Sequence, residues 1–225
     1  MIEIVKVENK DQEKEFVMFP FSLYKGCDYW VPPIISEELE SMDKEKNPVF
    51  ENAEAEFYIA KKDGVTVGRI AAMVNWVEIE EQKKNKLRFG WYDTIDDLEV
   101  SKKLLESVIE FGKKRKLEFV DGPVGFSNMD KAGLLIEGYE ELNTMITWYH
   151  YPYQKEHLKK LGFSKLAEWV EYKIKIFSAE DAPEKVKKFS KIIQQRYELK
   201  VLNFKSRKEI IPYVDKMFEL LNVTY

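Results

Sequence analysis

Apolar and polar residues alternate from Ile2 to Val7, the period of a half-buried strand. From Asp11 to Tyr24 the period lengthens, and Phe16, Phe19 and Leu23 recur on one face, which predicts a helix. Trp30-Val31-Pro32-Pro33 interrupts regular structure, because proline fixes φ and has no N–H to donate. Ser36 to Lys46 predicts a short acidic helix. Two β-rich runs, Glu56 to Ala60 and Val65 to Ala71, flank Lys61-Lys62-Asp63-Gly64. An Asp-Gly pair between such runs is a hairpin signal, and the second run extends to Trp76. Glu78 to Lys86 reads as a charged connection and Leu87 to Ile95 as a further strand. Leu98 to Lys116 is the clearest helix, with Val100, Leu104, Val108 and Phe111 at helical spacing. Leu117 to Val120 is a buried-looking strand that ends at Asp121-Gly122-Pro123. The stretch Val124 to His150 is long and irregular, with an apolar Leu134-Leu135-Ile136 insert; loops of that length tend to carry function. Gln154 to Leu161 is the next helix, stopped by Gly162, and Ala167 to Phe177 alternates as a last strand.

Ser178 to Pro183 marks a boundary between residues 1–177 and residues 184–225. Beyond it the pattern predicts a helix (Glu184 to Arg196), a strand (Leu199 to Asn203) and a helix (Lys208 to Leu221). That stretch is too short to bury a core alone, so it reads as the start of a second unit or as an appendage.

Composition narrows the function classes. With 44% apolar and 14% aromatic residues the chain can fill a core, and no apolar run approaches the roughly 20 residues of a membrane span. The amino terminus lacks the basic start and apolar middle of a signal peptide. A single cysteine, Cys27, rules out an intramolecular disulfide framework and fits a reducing, cytoplasmic setting. A net charge of −4 gives no electrostatic case for nucleic acid. The charge is uneven: Ser36 to Glu56 is acidic, whereas Lys155 to Lys216 is basic and reads as solvated lysine-rich helix faces. There is no P-loop, no G-x-G-x-x-G, no H-E-x-x-H and no paired-cysteine pattern, and two histidines seven residues apart do not suggest a metal site.

Tyr153-Gln154-Lys155-Glu156-His157-Leu158-Lys159-Lys160-Leu161-Gly162-Phe163, a short helix closed by Leu-Gly-Phe and followed by a strand pattern, resembles the last helix and strand of the GNAT superfamily of N-acyltransferases. The element order through Phe177 is similar to that of the superfamily. The likeness sharpens to one tandem GNAT-like family at Asp28 to Pro33, Lys46 to Glu54, Gly68 to Ala72 and Gly133 to Tyr139. This resemblance implies a mixed α/β fold, a mostly antiparallel sheet with helices on both faces. It also implies that residues after Pro183 open a second half.

In that superfamily two neighbouring parallel strands splay apart, and acyl-CoA (acetyl-CoA in many members) lies in the gap. Its pantetheine bonds to strand backbone, and its pyrophosphate rests on the N-terminus of the next helix, where free N–H groups and the helix dipole attract anions. Carried onto this chain, the resemblance assigns Trp91, Tyr92, Asp93, Thr94 and Ile95 to the cofactor and Ser127, Asn128 and Tyr153 to the substrate. Tyr149 or His150 would be the catalytic group; a histidine titrates near neutral pH, as a general base requires. Two departures are visible. The pyrophosphate turn reads Tyr92-Asp93-Thr94-Ile95-Asp96-Asp97-Leu98, with three carboxylates and no glycine, which suits helix capping better than phosphate. The position of the superfamily's acid tyrosine falls on Leu158, and His157 reads as a surface residue. The implied function is acyl transfer from acyl-CoA to a small amine acceptor, with no metal. The alternative is a non-catalytic scaffold holding a small ligand or a peptide in the same cleft. No membrane or nucleic-acid partner is expected, and a homodimer is compatible with either reading.

Overall fold

The computed structural model describes every residue except Asn128, Ile176, Phe177, Ala179 and Tyr225. Two compact units divide between Val170 and Glu171.

The first unit is built on a sheet of five strands in sequential order: β1 (Ile2–Lys6), β2 (Ala53–Lys62), β3 (Val65–Asn75), β4 (Lys86–Thr94) and β5 (Phe119–Asp121). The first three pairings are antiparallel and β4–β5 is parallel. The Asp63-Gly64 hairpin forms as its sequence predicts, with both residues at positive φ. Helices α1 (Lys10–Leu23) and α2 (Ile35–Met42) cover one face. Here Phe16, Val17 and Met42 meet Phe57, Ile59, Ala71, Met73 and Trp91. Helices α4 (Leu98–Lys114) and α5 (Pro152–Lys160) cover the other. There Val100, Leu104, Val108, Phe111 and Leu158 meet Ile70, Ala72, Leu87, Phe89 and Tyr92. A short helix, α3 (Trp76–Glu80), takes up the last residue of the expected strand, Trp76, and runs into the start of the stretch expected to be a connection. The long segment after β5 is irregular, as expected, and contributes one isolated bridge, Val124 with Ala132.

Gly122 marks where β5 leaves β4. A Cβ there would lie 2.4 Å from the Phe89 carbonyl oxygen and 2.5 Å from the Phe89 ring. Gly122→Ala is therefore expected to cost about 1–3 kcal/mol, the usual penalty of overpacking. Urea unfolding would check this; an unchanged midpoint would contradict the close approach.

Two strand expectations are corrected. Residues 167–175 are irregular, with Trp169, Val170, Tyr172 and Ile174 all exposed, and residues 176 and 177 lie outside the described residues. Leu199 to Asn203 is likewise irregular and exposed. Both segments have the alternation of a strand, but a strand is stable only when its N–H and C=O groups find a ladder partner. Neither segment pairs with a strand among the described residues. The second unit contributes α6 (Glu184–Arg196), α7 (Arg207–Ile210), a 3-10 turn (Ile211–Tyr213) and α8 (Val214–Thr224), so the single predicted last helix is interrupted near Pro212.

Candidate functional site

The site is organised by a bulge in β4. Trp91 has φ 47°, left-handed and unusual for a tryptophan, and the β3–β4 register shifts between Arg69 and Ala71. One extra residue reverses which face each later side chain meets. Leu87 and Phe89 point to the α4 side, Trp91 crosses to the α1 side, and Tyr92 returns to the α4 side. The Trp91 indole N–H donates to Glu38 of α2 at 2.6 Å. The bulge also brings Asp93 under α1.

There Asp93 is 6% exposed and Arg69 3% exposed, and Arg69 Nε donates to Asp93 Oδ2 at 2.8 Å. A second Arg69 nitrogen donates to the Phe16 carbonyl. The Tyr24 hydroxyl donates to Asp93 Oδ1 at 2.6 Å and lies 3.0 Å from the Tyr149 carbonyl. Burial, with Asp93 beside it, holds the Tyr24 phenol well above its ordinary pKa, so it stays a donor. Sequence reasoning missed Tyr24 and Arg69. A signal existed: Arg69 and Asp93 are lone charges inside apolar strand runs, and a buried charge demands an opposite partner.

β4 and β5 pair over only three positions, Lys86↔Phe119 to Arg88↔Asp121, and then part. Beyond that point Asp93 faces Arg69 of β3, and the Ile95 N–H reaches the Val67 carbonyl of the same strand. The Tyr92 and Thr94 carbonyls consequently point outward, into the gap. Gln154 Nε2 donates to Tyr92 O at 3.2 Å, and the Tyr153 hydroxyl donates to Thr94 O at 2.7 Å. Lower on the strand, the Val124 N–H occupies the Phe89 carbonyl at 2.8 Å.

His150, 1% exposed, packs inside this region. Its Nδ1 accepts the Leu135 N–H at 3.3 Å. Burial pulls its pKa down to about 4, only partly opposed by Asp93, so the ring is neutral at neutral pH. The Tyr149 hydroxyl donates to the Tyr139 carbonyl at 3.1 Å, and burial raises its pKa. Ser127 Oγ and the Ser127 N–H both donate to Asp130, and Ser127 Oγ also accepts the Met129 N–H, so this hydroxyl holds its own loop. Asn128, the other substrate-side candidate in that loop, lies outside the described residues. The loop is further pinned by buried Arg88, which donates to the Gly125 carbonyl and forms a two-pronged ion pair with Glu78.

His157 is a correction. It is buried, not on the surface, with Nδ1 2.8 Å from Ser101 Oγ and Nε2 3.2 Å from Asp96 Oδ1. Tyr92 donates to the same Ser101 oxygen. The helix turns His157 toward α4 because Leu158 beside it enters the core. Leu158 therefore fills the place of the superfamily's acid tyrosine with packing rather than a proton donor.

The start of α4 does not fit a pyrophosphate. Asp97 caps it by accepting the Glu99 N–H at 3.0 Å, and the Asp97 carbonyl accepts the Val100 and Ser101 N–H groups. Asp96, Asp97 and Glu99 concentrate negative charge at that end, relieved in part by Lys62, which lies 3.1 Å from Asp97. Among the described residues no group of three or more His, Cys, Asp or Glu is placed to hold a metal ion, and no helix is long and apolar enough to cross a membrane.

No family model matches the chain. Protein YghO of Escherichia coli is 32% identical over 167 residues, which is 72% of this chain and 43% of that protein. The bacterial ceramide synthase of Caulobacter vibrioides is 23% identical over 174 residues, 76% of this chain and 45% of that enzyme. The chain thus spans less than half the length of the curated relatives it matches. Among solved structures, a predicted acetyltransferase of Clostridium acetobutylicum with acetyl-CoA aligns at 13% identity over 77% of this chain and 96% of that one, with a TM-score of 0.47. A GNAT-family acetyltransferase of Staphylococcus aureus aligns at 17% identity over 54% of this chain and 73% of that one, with a TM-score of 0.39. Its mixed, mostly antiparallel five-strand sheet with one parallel pair and helices on both faces is the α/β, GNAT-like fold that the sequence resembles.

Proposed function

We propose that this chain is the acyl-thioester-facing part of an amide-forming acyltransferase. The observation that carries the reading is the parting of β4 from β5 beside the Trp91 bulge, which leaves outward carbonyls where an extended thioester arm can lie. The match to a bacterial ceramide synthase supports an amine acceptor with a long apolar tail, because a ceramide is the amide of such an amine. On this reading Trp91 to Ile95 face the donor. Tyr149, His150 and the loop around Ser127 face the acceptor, while the Tyr153 hydroxyl donates to the Thr94 carbonyl on the donor side. His150 is neutral, its accepting Nδ1 is held by the Leu135 N–H and must release it to take a proton, and Tyr24 and Arg69 position Asp93. The donor is an acyl thioester such as acyl-CoA, although the acidic, capped start of α4 gives its pyrophosphate no cradle.

That misfit favours a second reading, a non-catalytic scaffold whose cleft holds a small ligand or a peptide. Calorimetric titration with acetyl-CoA and with a long-chain acyl-CoA separates the two. One-to-one binding, followed by thiol release when a long-chain amine is added, is the outcome expected of the transferase. A folded sample that binds neither thioester would sink the donor assignment.

A further inference from the structure

We propose that Tyr153 and Gln154 form a retractable plug: they occupy the β4 carbonyls that an extended, amide-bearing ligand needs, and the ligand enters when the first turn of α5 lifts off the strand. The inference rests on the acyl-thioester reading and names how access to that same gap is controlled.

A β-strand edge facing a gap offers N–H and C=O groups to any extended chain with matching donors and acceptors. Here the two outward carbonyls beyond the bulge are already paired, and with side chains, not with a strand. Tyr153 supplies an O–H to Thr94 and Gln154 an N–H to Tyr92. These are the donor types that a pantetheine arm, with its amides and hydroxyl, would present. The side chains therefore imitate the ligand.

The two ends of α5 are held by different contacts. Its second half is anchored by Leu158 in the core and by His157 against Ser101. Its start carries the two bonds to β4 and also packs through rings, Tyr151 on Tyr24 at 5.2 Å and Tyr153 on His157 at 5.4 Å. Gln154 Oε1 accepts the Tyr151 N–H at 2.8 Å, while the other end of the same side chain reaches β4. One residue thus closes the helix start and the strand edge together. A neutral hydrogen bond contributes only about 1 kcal/mol net, so such contacts exchange readily for equivalent ones from a ligand. Packing of Leu158 is not exchangeable in that way.

The test uses S-acetylpantetheine, which carries the amide arm without the pyrophosphate, so that the acidic start of α4 plays no part. Tyr153→Phe keeps the ring and removes one plug bond, and Gln154→Ala removes the other. Each is expected to bind S-acetylpantetheine about tenfold more tightly than the unaltered chain in calorimetry, because less stability must be given up to open the turn. With the unaltered chain, saturating S-acetylpantetheine is expected to raise hydrogen exchange in the first turn of α5 while amides near Leu158 stay protected. The exchange measurement keeps the proposal falsifiable if a variant fails to fold. Measurable binding that is equal or weaker in the variants, or α5 exchange that ligand leaves unchanged or slows, overturns the plug but leaves the acyl-thioester reading standing. Failure of both the unaltered chain and folded variants to bind overturns both.

Discussion

Asp93→Ala is expected to destabilise the first unit by about 3–5 kcal/mol, the cost of leaving one member of a buried ion pair behind. Asp93 is enclosed by Arg69 at 2.8 Å and Tyr24 at 2.6 Å, and both partners are buried with it. Removing the carboxylate leaves the guanidinium with the Phe16 carbonyl and the Phe16 ring, 5.0 Å away, as its described company. It also leaves the Tyr24 hydroxyl to the Tyr149 carbonyl. Arg69→Met with Asp93→Ala together should recover much of the loss, because the pair is then removed as a pair and the stem of Met packs where Arg69 lay. Urea unfolding of the single and double variants measures both effects. A single-variant cost below about 1 kcal/mol would mean that water reaches the pair, contrary to its burial.

His150 makes the second large contribution, and it depends on pH. Burial lowers its folded pKa to about 4, against about 6.5 for an ordinary histidine. The unfolded chain therefore binds a proton at higher pH than the folded one. The contribution is fully present above about pH 6.5 and declines as pH falls, until it is gone below about pH 4. Its full size is about 3 kcal/mol from a difference of that order, and about 2 kcal/mol of it should be lost by pH 5. Buried carboxylates such as Glu78, held below their ordinary range by Arg88 against the cost of burial, act in the same direction but at lower pH. Unfolding free energies at pH 7, 6 and 5 isolate the histidine. His150→Phe should flatten that slope, even if the variant is less stable at pH 7. A slope unchanged by the substitution would show that His150 takes up its proton in the folded state near the ordinary value.

These two effects also bear on activity. If His150 takes part in the proposed transfer, the Leu135 N–H on Nδ1 places the neutral ring's own proton on Nε2, so Nε2 can only donate and Nδ1 must first release Leu135 to accept a proton. The Arg69–Asp93–Tyr24 cluster lies on the α1 side of β4, on which the proposed gap also borders, so loss of Asp93 would disturb the site through its frame.

Much of the first unit was legible in the residues. The stripe Val100, Leu104, Val108 and Phe111 becomes the buried face of α4, because a 3.6-residue period leaves those side chains only one surface to share. Asp63-Gly64 turns the hairpin because its backbone needs positive φ twice. Asp97 caps α4 as the carboxylate-rich turn suggested, since the first helical N–H groups need acceptors. Gly162, at φ 91°, ends α5 where a left-handed residue was called for.

The site was less legible, for a physical reason that each residue illustrates. His157 sits one position from Leu158, and sequence alone could not say that both would be buried, His157 against Ser101 of α4 and Leu158 in the apolar core. Trp91, Tyr92 and Asp93 read as plain alternation, yet one extra residue in the bulge reassigns all three faces. Gln154 and Tyr24 are far from β4 in sequence and meet it only because α1 and α5 pack beside it. The alternating segments at residues 167–175 and 199–203 carry a strand's pattern without a strand's partner, and pattern alone cannot supply the second half of a ladder. Local periodicity, capping and turn chemistry fix what each segment can become, because they depend on neighbours three or four residues away. Which carbonyls face the gap, which charges pair under α1 and what fills the opening between β4 and β5 depend on contacts between residues tens of positions apart, and those are settled only when the sheet and its helices come together.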